Sequence, residues 1–330
     1  MKDAAGSIRP ARLTDRPALV ALSRQVHEGS EGFRRSLGVP AHSAAPPQIS
    51  LAALMPSWLP LRSPSVHMVA EWEGQLVGSC RAIEEPHRDD WVITELDATD
   101  SPMASEVRFA LLRSVIEEGG RRDVARYHAA CADVPENMEL FGQLNFMAYA
   151  QEEIWYRPPG GPADGRPEDL QPATPPDAWH LFDLWTHATP PAIARIEAYG
   201  AEDWEPVGHE GVVPRSSLNP LLHFSAVSAW LLPEGQRVAG FAQHGACRAG
   251  PHYLRFLVRD GADGAAFLRA VLGAVGGEAS SAGILAPVRT YEATGRQAAE
   301  AAGFEAVGEV SVLVREVLAS ARQPAMVPAV

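Results

Sequence analysis

One short pattern recurs along this 330-residue chain at a nearly constant distance, and the recurrence limits the architecture more than any single motif does. Ile8-Arg-Pro-Ala-Arg-Leu-Thr-Asp15 returns as Leu170-Gln-Pro-Ala-Thr-Pro-Pro-Asp177, with Pro10/Pro172, Ala11/Ala173, Asp15/Asp177, Leu19/Leu181 and Leu22/Leu184 at an offset of 162. Glu73-Gly-Gln-Leu-Val-Gly78 returns as Glu234-Gly-Gln-Arg-Val-Ala-Gly240 at 161, and Asn145-Phe-Met-Ala148 as Gly303-Phe-Glu-Ala306 at 158. Chance supplies one such match but not three in the same order. Two copies of domain size mean a duplicated domain, not a solenoid of small repeats. Between them Pro158–Asp177 holds seven Pro and three Gly in 20 residues, a composition that buries no core and reads as a linker. The expected division is 1–157 and 178–318, with the linker 158–177 carrying the first strand of the second copy and 319–330 a tail.

Composition narrows the class. Hydrophobic residues at 46% and charged residues at 21% describe a soluble chain with a sizeable core. Acids outnumber bases 41 to 28, and a net charge of -13 repels a phosphate backbone, so nucleic acid is not an expected partner. A small acidic ligand remains compatible, because backbone amides at a helix N-terminus bind anions whatever the net charge. The three cysteines, Cys80, Cys131 and Cys247, lie far apart and form neither a disulfide framework nor a metal pair. The histidines of the second half lack metal spacing. No signal-like core opens the chain, and no apolar run reaches the roughly 18 residues of a membrane span. The expectation is a cytoplasmic, metal-free protein without a membrane partner, for which an oligomer is compatible. Trp179, Trp185, Trp204 and Trp230 suit either an apolar acceptor pocket or plain core.

Periodicity orders the elements within a copy. A strand at Ser7–Pro10 leads to a helix from about Arg16, with Thr14 or Asp15 as its N-cap. Glu28–Pro64 is broken by prolines. Val66–Glu73 and Leu76–Ile83 flank Gly74-Gln75 as a hairpin. Trp91–Ala98 is a strand, and Ser101-Pro102 starts a helix with Pro in its first position. A strand at Tyr127–Ala132, a helix at Glu136–Leu144 and a strand at Met147–Tyr156 follow. The second copy repeats this through Ala226–Leu232, Val238–Gly245, His252–Val258, a helix at Ala265–Val275, Gly283–Val288, a helix at Glu292–Ala302 and Ala306–Val317. Each copy is therefore α+β, a mostly antiparallel twisted sheet flanked by helices.

This succession, with Ile8-Arg-Pro-Ala…Asp15 in front and Pro135-Glu-Asn-Met-Glu-Leu-Phe-Gly-Gln-Leu-Asn-Phe146 near the end, resembles the GNAT N-acetyltransferase superfamily in tandem form. Glu300-Ala-Ala-Gly-Phe304 is similar to the same helix ending. The resemblance implies transfer of an acetyl or other acyl group from acyl-CoA to the amine of a small molecule. It also implies a pyrophosphate loop, Arg/Gln-x-x-Gly-x-Gly/Ala, after the fourth strand. Small residues there let backbone amides approach the phosphates at a helix N-terminus.

In the first copy those positions fall on Met103, Glu106 and Arg108, without glycine, with Pro102 removing a donor and Glu106 adding a carboxylate. That copy is expected not to bind CoA. The second reads Val258-Arg259-Asp-Gly261-Ala262-Asp-Gly264-Ala265-Ala266, in the register Arg259-x-x-Ala262-x-Gly264 or Gly261-x-x-Gly264-x-Ala266. A Gly-rich strand-to-helix turn accounts for it equally. The tyrosine that the family uses to protonate the thiolate is replaced by Phe141 and Ala299. Glu95 falls where the family places its base, but in the copy without the loop. In the second copy His252 and Tyr253 are the candidate catalytic groups, a neutral His being a competent base near pH 7. The competing reading is a non-catalytic descendant that binds a ligand or a partner protein.

Overall fold

The computed structural model describes residues 6–27, 65–85, 89–160, 170–205, 215–218, 224–248, 250–276 and 282–317. The Pro-broken stretch 28–64, the middle of the linker and the tail lie outside the described residues. The first half runs β1 (Ser7–Pro10), α1 (Arg16–His27), β2 (Ser65–Trp72), β3 (Gln75–Glu84), β4 (Asp90–Ala98), α2 (Ala104–Gly120), β5 (Arg126–Ala132), α3 (Pro135–Gln143) and β6 (Met147–Arg157). The second repeats the order as β7 (Gln171–Pro172), α4 (Ala178–Ala188), β8 (Phe224–Glu234), β9 (Arg237–Cys247), β10 (His252–Val258), α6 (Gly264–Val275), β11 (Ile284–Arg289), α7 (Ala293–Ala301) and β12 (Glu305–Glu316). It adds α5 (Pro191–Glu197) after α4.

Local chemistry sets the corners. The first hairpin turns on Glu73-Gly74, one residue earlier than the sequence suggests, and Trp72 pairs with Gln75. Both turn residues have positive φ, 50° and 77°, as a tight two-residue turn of this hand requires. The duplicated aspartates act just upstream of their helices instead of capping them. Asp15 accepts the Arg12 amide at 2.7 Å and pairs with Arg9, and Asp177 accepts the Thr174 amide at 2.8 Å and its hydroxyl at 2.6 Å. α2 begins at Ala104, so Pro102 stands in the preceding turn and costs the helix no donor, contrary to the sequence expectation.

The twelve strands among the described residues form one sheet, in the order β1-β2-β3-β4-β5-β12-β6-β11-β10-β9-β8-β7. The order is palindromic because the halves exchange their last strands. β12 lies antiparallel between β5 and β6, and β6 lies antiparallel between β12 and β11. The exchange leaves β1 and β7 as the sheet's edges, four and two residues long, which offer little template for further pairing.

α2 and α3 bury Leu111, Leu112, Val115, Ile116, Leu140 and Phe141 on one face of the first half. α6 and α7 cover the same face of the second half through Phe267, Leu268, Val271, Ala298 and Ala299. α1 and α4 lie on the opposite face, α1 through Leu19 on Val69 and α4 through Leu181, Leu184 and Trp185 on Leu231 and Phe241.

Candidate active site

Each half contains one parallel strand pair, and in each the pairing stops early. β4 and β5 pair only through Asp90↔Arg126, Trp91↔Tyr127 and Val92↔His128. β10 and β11 pair only through His252↔Ile284 and Tyr253↔Leu285. Beyond those rungs the strands part, leaving a wedge with backbone donors and acceptors along its walls. An extended ligand with amide groups can enter such a wedge. The two wedges differ sharply in what occupies them.

In the second half, three contacts cross the wedge and its mouth. Arg255 of β10 forms a double hydrogen bond to Glu292 at the start of α7, 2.9 and 2.5 Å, with side chains 1% and 6% exposed. Thr294 donates to Asp260 at 2.7 Å. Gly264 packs against α7, where a Cβ would come 3.0 Å from the Ala298 Cβ and 3.2 Å from a Val258 methyl.

The residues read as a pyrophosphate loop have local partners. Val258 ends β10 with its side chain in the core. The Arg259 guanidinium pairs with Asp183 at 2.8 Å. Gly261 takes φ +89°, the Ala262 amide donates to the Arg259 carbonyl, and the Gly264 amide donates to the Ala262 carbonyl. Asp263 caps α6 by accepting the Ala266 amide at 2.9 Å, and Ala265 lies within the capped turn. The glycines here meet a positive φ and a helix contact, and the capping carboxylate stands where a phosphate would need the donor.

His252 and Tyr253 are neighbours on a strand and point to opposite faces. His252 stacks on His244, with Nδ1 2.9 Å from the His244 Nε2. Burial, and His252 after it, push His244 down to about 4. The Tyr253 hydroxyl lies 2.7 Å from the Ser216 hydroxyl on the other face, and burial raises its phenol. The structure does not bring the two residues together. The tryptophans separate as well: Trp185 and Trp204 are core under α4, Trp230 packs against the α6/α7 cluster, and Trp179 is 65% exposed.

The first half is arranged otherwise. β4 carries an irregularity opposite Arg81/Ala82, so that Glu95 pairs with Arg81 while Ile93 pairs with Ala82. A bulge re-aims the strand where it leaves β5, a place where such features serve sites. Glu95 lies on the α1 face with 23% of its side chain exposed, 3.4 Å from the Arg81 guanidinium and 3.7 Å from the His67 Nε2. His67, Arg81 and Glu95 form one row across β2, β3 and β4. Burial pushes the next residue on that face, Asp97, up to about 8, Glu95 adds to the shift and Arg108 opposes it.

Among the described residues no side chain caps the α2 N-terminus, and Glu106 in its first turn is exposed. Arg108, one turn in, is 3% exposed and donates to Asn137 of α3 at 2.8 Å, and Asn137 donates in turn to the Ala132 carbonyl at the end of β5. Polar groups thus join α2 to α3, where α6 and α7 touch directly. Sequence reasoning singled out Glu95 but not His67. The available signal was one imidazole inside the apolar run Val66-His-Met-Val-Ala70. Cys80, Cys131 and Cys247 all have thiols raised by burial, Cys131 to about 12 and Cys247 to about 11, which fits packing and not reactivity. Among the described residues no three His, Cys, Asp or Glu converge on a metal position, and no helix is long and apolar enough to cross a membrane.

No family model matches the chain, and no curated protein does. Solved structures do. A tandem GNAT protein from the clavulanic acid biosynthesis pathway is 12% identical, covering 94% of this chain and 98% of its own, with a TM-score of 0.54. A GCN5-related N-acetyltransferase from Sphaerobacter thermophilus is 14% identical, covering 96% of each chain at 0.57. A putative acetyltransferase from Pyrococcus horikoshii is 11% identical, covering 96% of this chain and 92% of its own at 0.53. At such identities the likeness establishes the fold.

Proposed function

We propose that this chain, which has the tandem GNAT fold, transfers an acyl group from acetyl-CoA or a related acyl-CoA to the amine of a small molecule, and that it does so in the wedge of the first half. The observation that carries the reading is the bulged fourth strand. It presents Glu95 at the point where β4 leaves β5, while the corresponding place in the second half is filled by the Arg255–Glu292 pair.

The first-half wedge suits the group. Among the described residues no side chain caps its helix N-terminus, where the Ala104 amide donates to the Ser101 carbonyl. Arg108 places a positive charge between α2 and α3, 3.8 Å from Glu136. The first-turn amides of α2 beyond Ala104 would face the phosphates, and the exposed Glu106 carboxylate can swing aside into solvent. When bound, the thioester supplies an activated acyl carbon. Glu95 takes the proton of the incoming amine. A backbone amide of β4 past the bulge donates to the carbonyl oxygen as charge develops on it. Phe141 cannot return a proton to the departing thiolate and α3 carries no tyrosine, so CoA leaves as the thiolate and takes its proton from solvent water.

Calorimetric titration with acetyl-CoA tests the reading. The parent should bind, Ala104→Glu should abolish binding by placing a carboxylate at the helix start, and Asp263→Ala should bind as the parent does. Tighter binding by Asp263→Ala would place the cofactor in the second half, where His252 and the Gly261–Ala266 turn would become the site. A parent that binds no acetyl-CoA would leave the non-catalytic reading in its place.

A further inference from the structure

We infer that His67 is a positioning residue for Glu95, its Nε2–H anchoring the carboxylate that takes the proton of the amine, an inference that rests on the acyl-transfer reading above. His67 sits on β2, two strands from Glu95, with its Nε2 3.7 Å from Glu95 Oε2. Its side chain is 1% exposed, and among the described residues neither ring nitrogen has a hydrogen-bond partner. The charged groups that face it are Glu95 from β4, Arg81 from β3 and, farther off, Asp15 from the turn before α1.

An imidazole in this condition is costly. Its neighbours along the strand, Val66, Met68, Val69 and Ala70, are buried and apolar, and an apolar side chain at 67 would avoid burying two unsatisfied nitrogens. Local rules are broken in this way chiefly at functional sites. Burial keeps His67 neutral at physiological pH, so it carries one N–H that can donate and brings no second charge to compete with Arg81. Arg81 lies at one oxygen of Glu95 and His67 at the other. For the anchor to form, a side-chain rotation must shorten 3.7 Å to hydrogen-bond length. With both oxygens held, the carboxylate keeps one direction toward the wedge.

Two independent measurements test this. In the nitrogen-15 spectrum of the full chain, the Nε2 of His67 should be protonated in the neutral ring, and its resonance should move in Glu95→Gln. The second measurement is thiol release from acetyl-CoA with lysine, tyramine, spermidine or glucosamine as the amine. His67→Val should lower kcat about tenfold or more and leave KM for acetyl-CoA unchanged, since a donor to the carboxylate is gone. The variant should melt no lower than the parent, and His67→Gln should restore part of the rate.

A proton on Nδ1 instead of Nε2, or a resonance indifferent to Glu95→Gln, overturns the inference whether or not the chain is an acyltransferase. A His67→Val variant that loses stability while keeping kcat makes His67 structural and overturns it too. If the parent acylates none of the four amines while the Nε2 resonance still follows Glu95, the anchor stands and the acyl-transfer reading fails.

Discussion

Replacing Arg289 by methionine should destabilise the whole chain, because this one guanidinium neutralises two carboxylates under the centre of the sheet. Its Nε lies 3.2 Å from Glu152, its Nη2 3.0 Å from Glu197 and 3.1 Å from the Arg215 carbonyl, and the three side chains are at most 1% exposed. Arg289 is on β11 and Glu152 directly opposite it on β6, so the pair also ties an exchanged strand to its neighbour. Removing one partner of a buried pair costs about 3–5 kcal/mol, and taking the cation from two carboxylates at once places Arg289→Met at the upper end, against a total stability of about 5–15 kcal/mol.

The loss should depend on pH with a definite sign. Burial already raises Glu197 above the ordinary carboxylate range, and Arg289 is the first of the groups that oppose the rise. Without it the folded state holds protons that the unfolded state releases, so stability should rise as pH falls. The deficit should therefore be smaller at about pH 5.5 than at about pH 7.5, as Glu197 takes up its proton. Urea melts followed through the fluorescence of buried Trp185 and Trp204 measure it. Adding Glu152→Gln and Glu197→Gln should restore most of the loss. A deficit below about 1 kcal/mol, or one equal at both pH values, would refute the idea that these carboxylates depend on Arg289.

Three further outcomes are expected. Asp15→Ala should cost about 1–2 kcal/mol, since the carboxylate holds the Arg12 amide and the Arg9 guanidinium. Arg9 holds Asp15 below its ordinary value, so in the parent this contribution is complete above about pH 4 and fades as pH falls through the depressed value. The acid limb of a stability–pH curve should therefore flatten in the variant. Gly264→Ala should lower stability by about 1–3 kcal/mol by overpacking against Ala298 and Val258, and a melt as high as the parent's would show that α6 and α7 can part. Stopping the chain after Gly303 removes β12 and bares β5 and β6 together, so both halves should be lost in one cooperative transition; circular dichroism showing one half still folded would contradict this.

The repeat, the element order and the layering were legible in the amino-acid sequence because each rests on local chemistry. Glycine and proline mark the turns, apolar residues recur with the period of a helix or a strand, and Asp15 and Asp177 recur at one corner. The resemblance built on these features led to the fold that the solved structures share. Glu95 could be singled out through the resemblance, which implies a base at its place on the fourth strand. What tertiary structure decided is pairing over long separations. No local pattern distinguishes a β12 that returns beside β11 from one that crosses to β5, since either neighbour accepts the same alternation of side chains.

The wedges were decided in the same way. A run such as Gly261-Ala-Asp-Gly264 has one composition whether its glycines admit a phosphate or a helix, and only the position of Ala298 against Gly264 separates the two. Arg255 and Glu292 are 37 residues apart, and nothing near either one foretells that they meet across the second wedge. His67 went unnoticed for the same reason. A histidine in an apolar strand acquires meaning only from the carboxylate that the sheet register carries to within 3.7 Å of it.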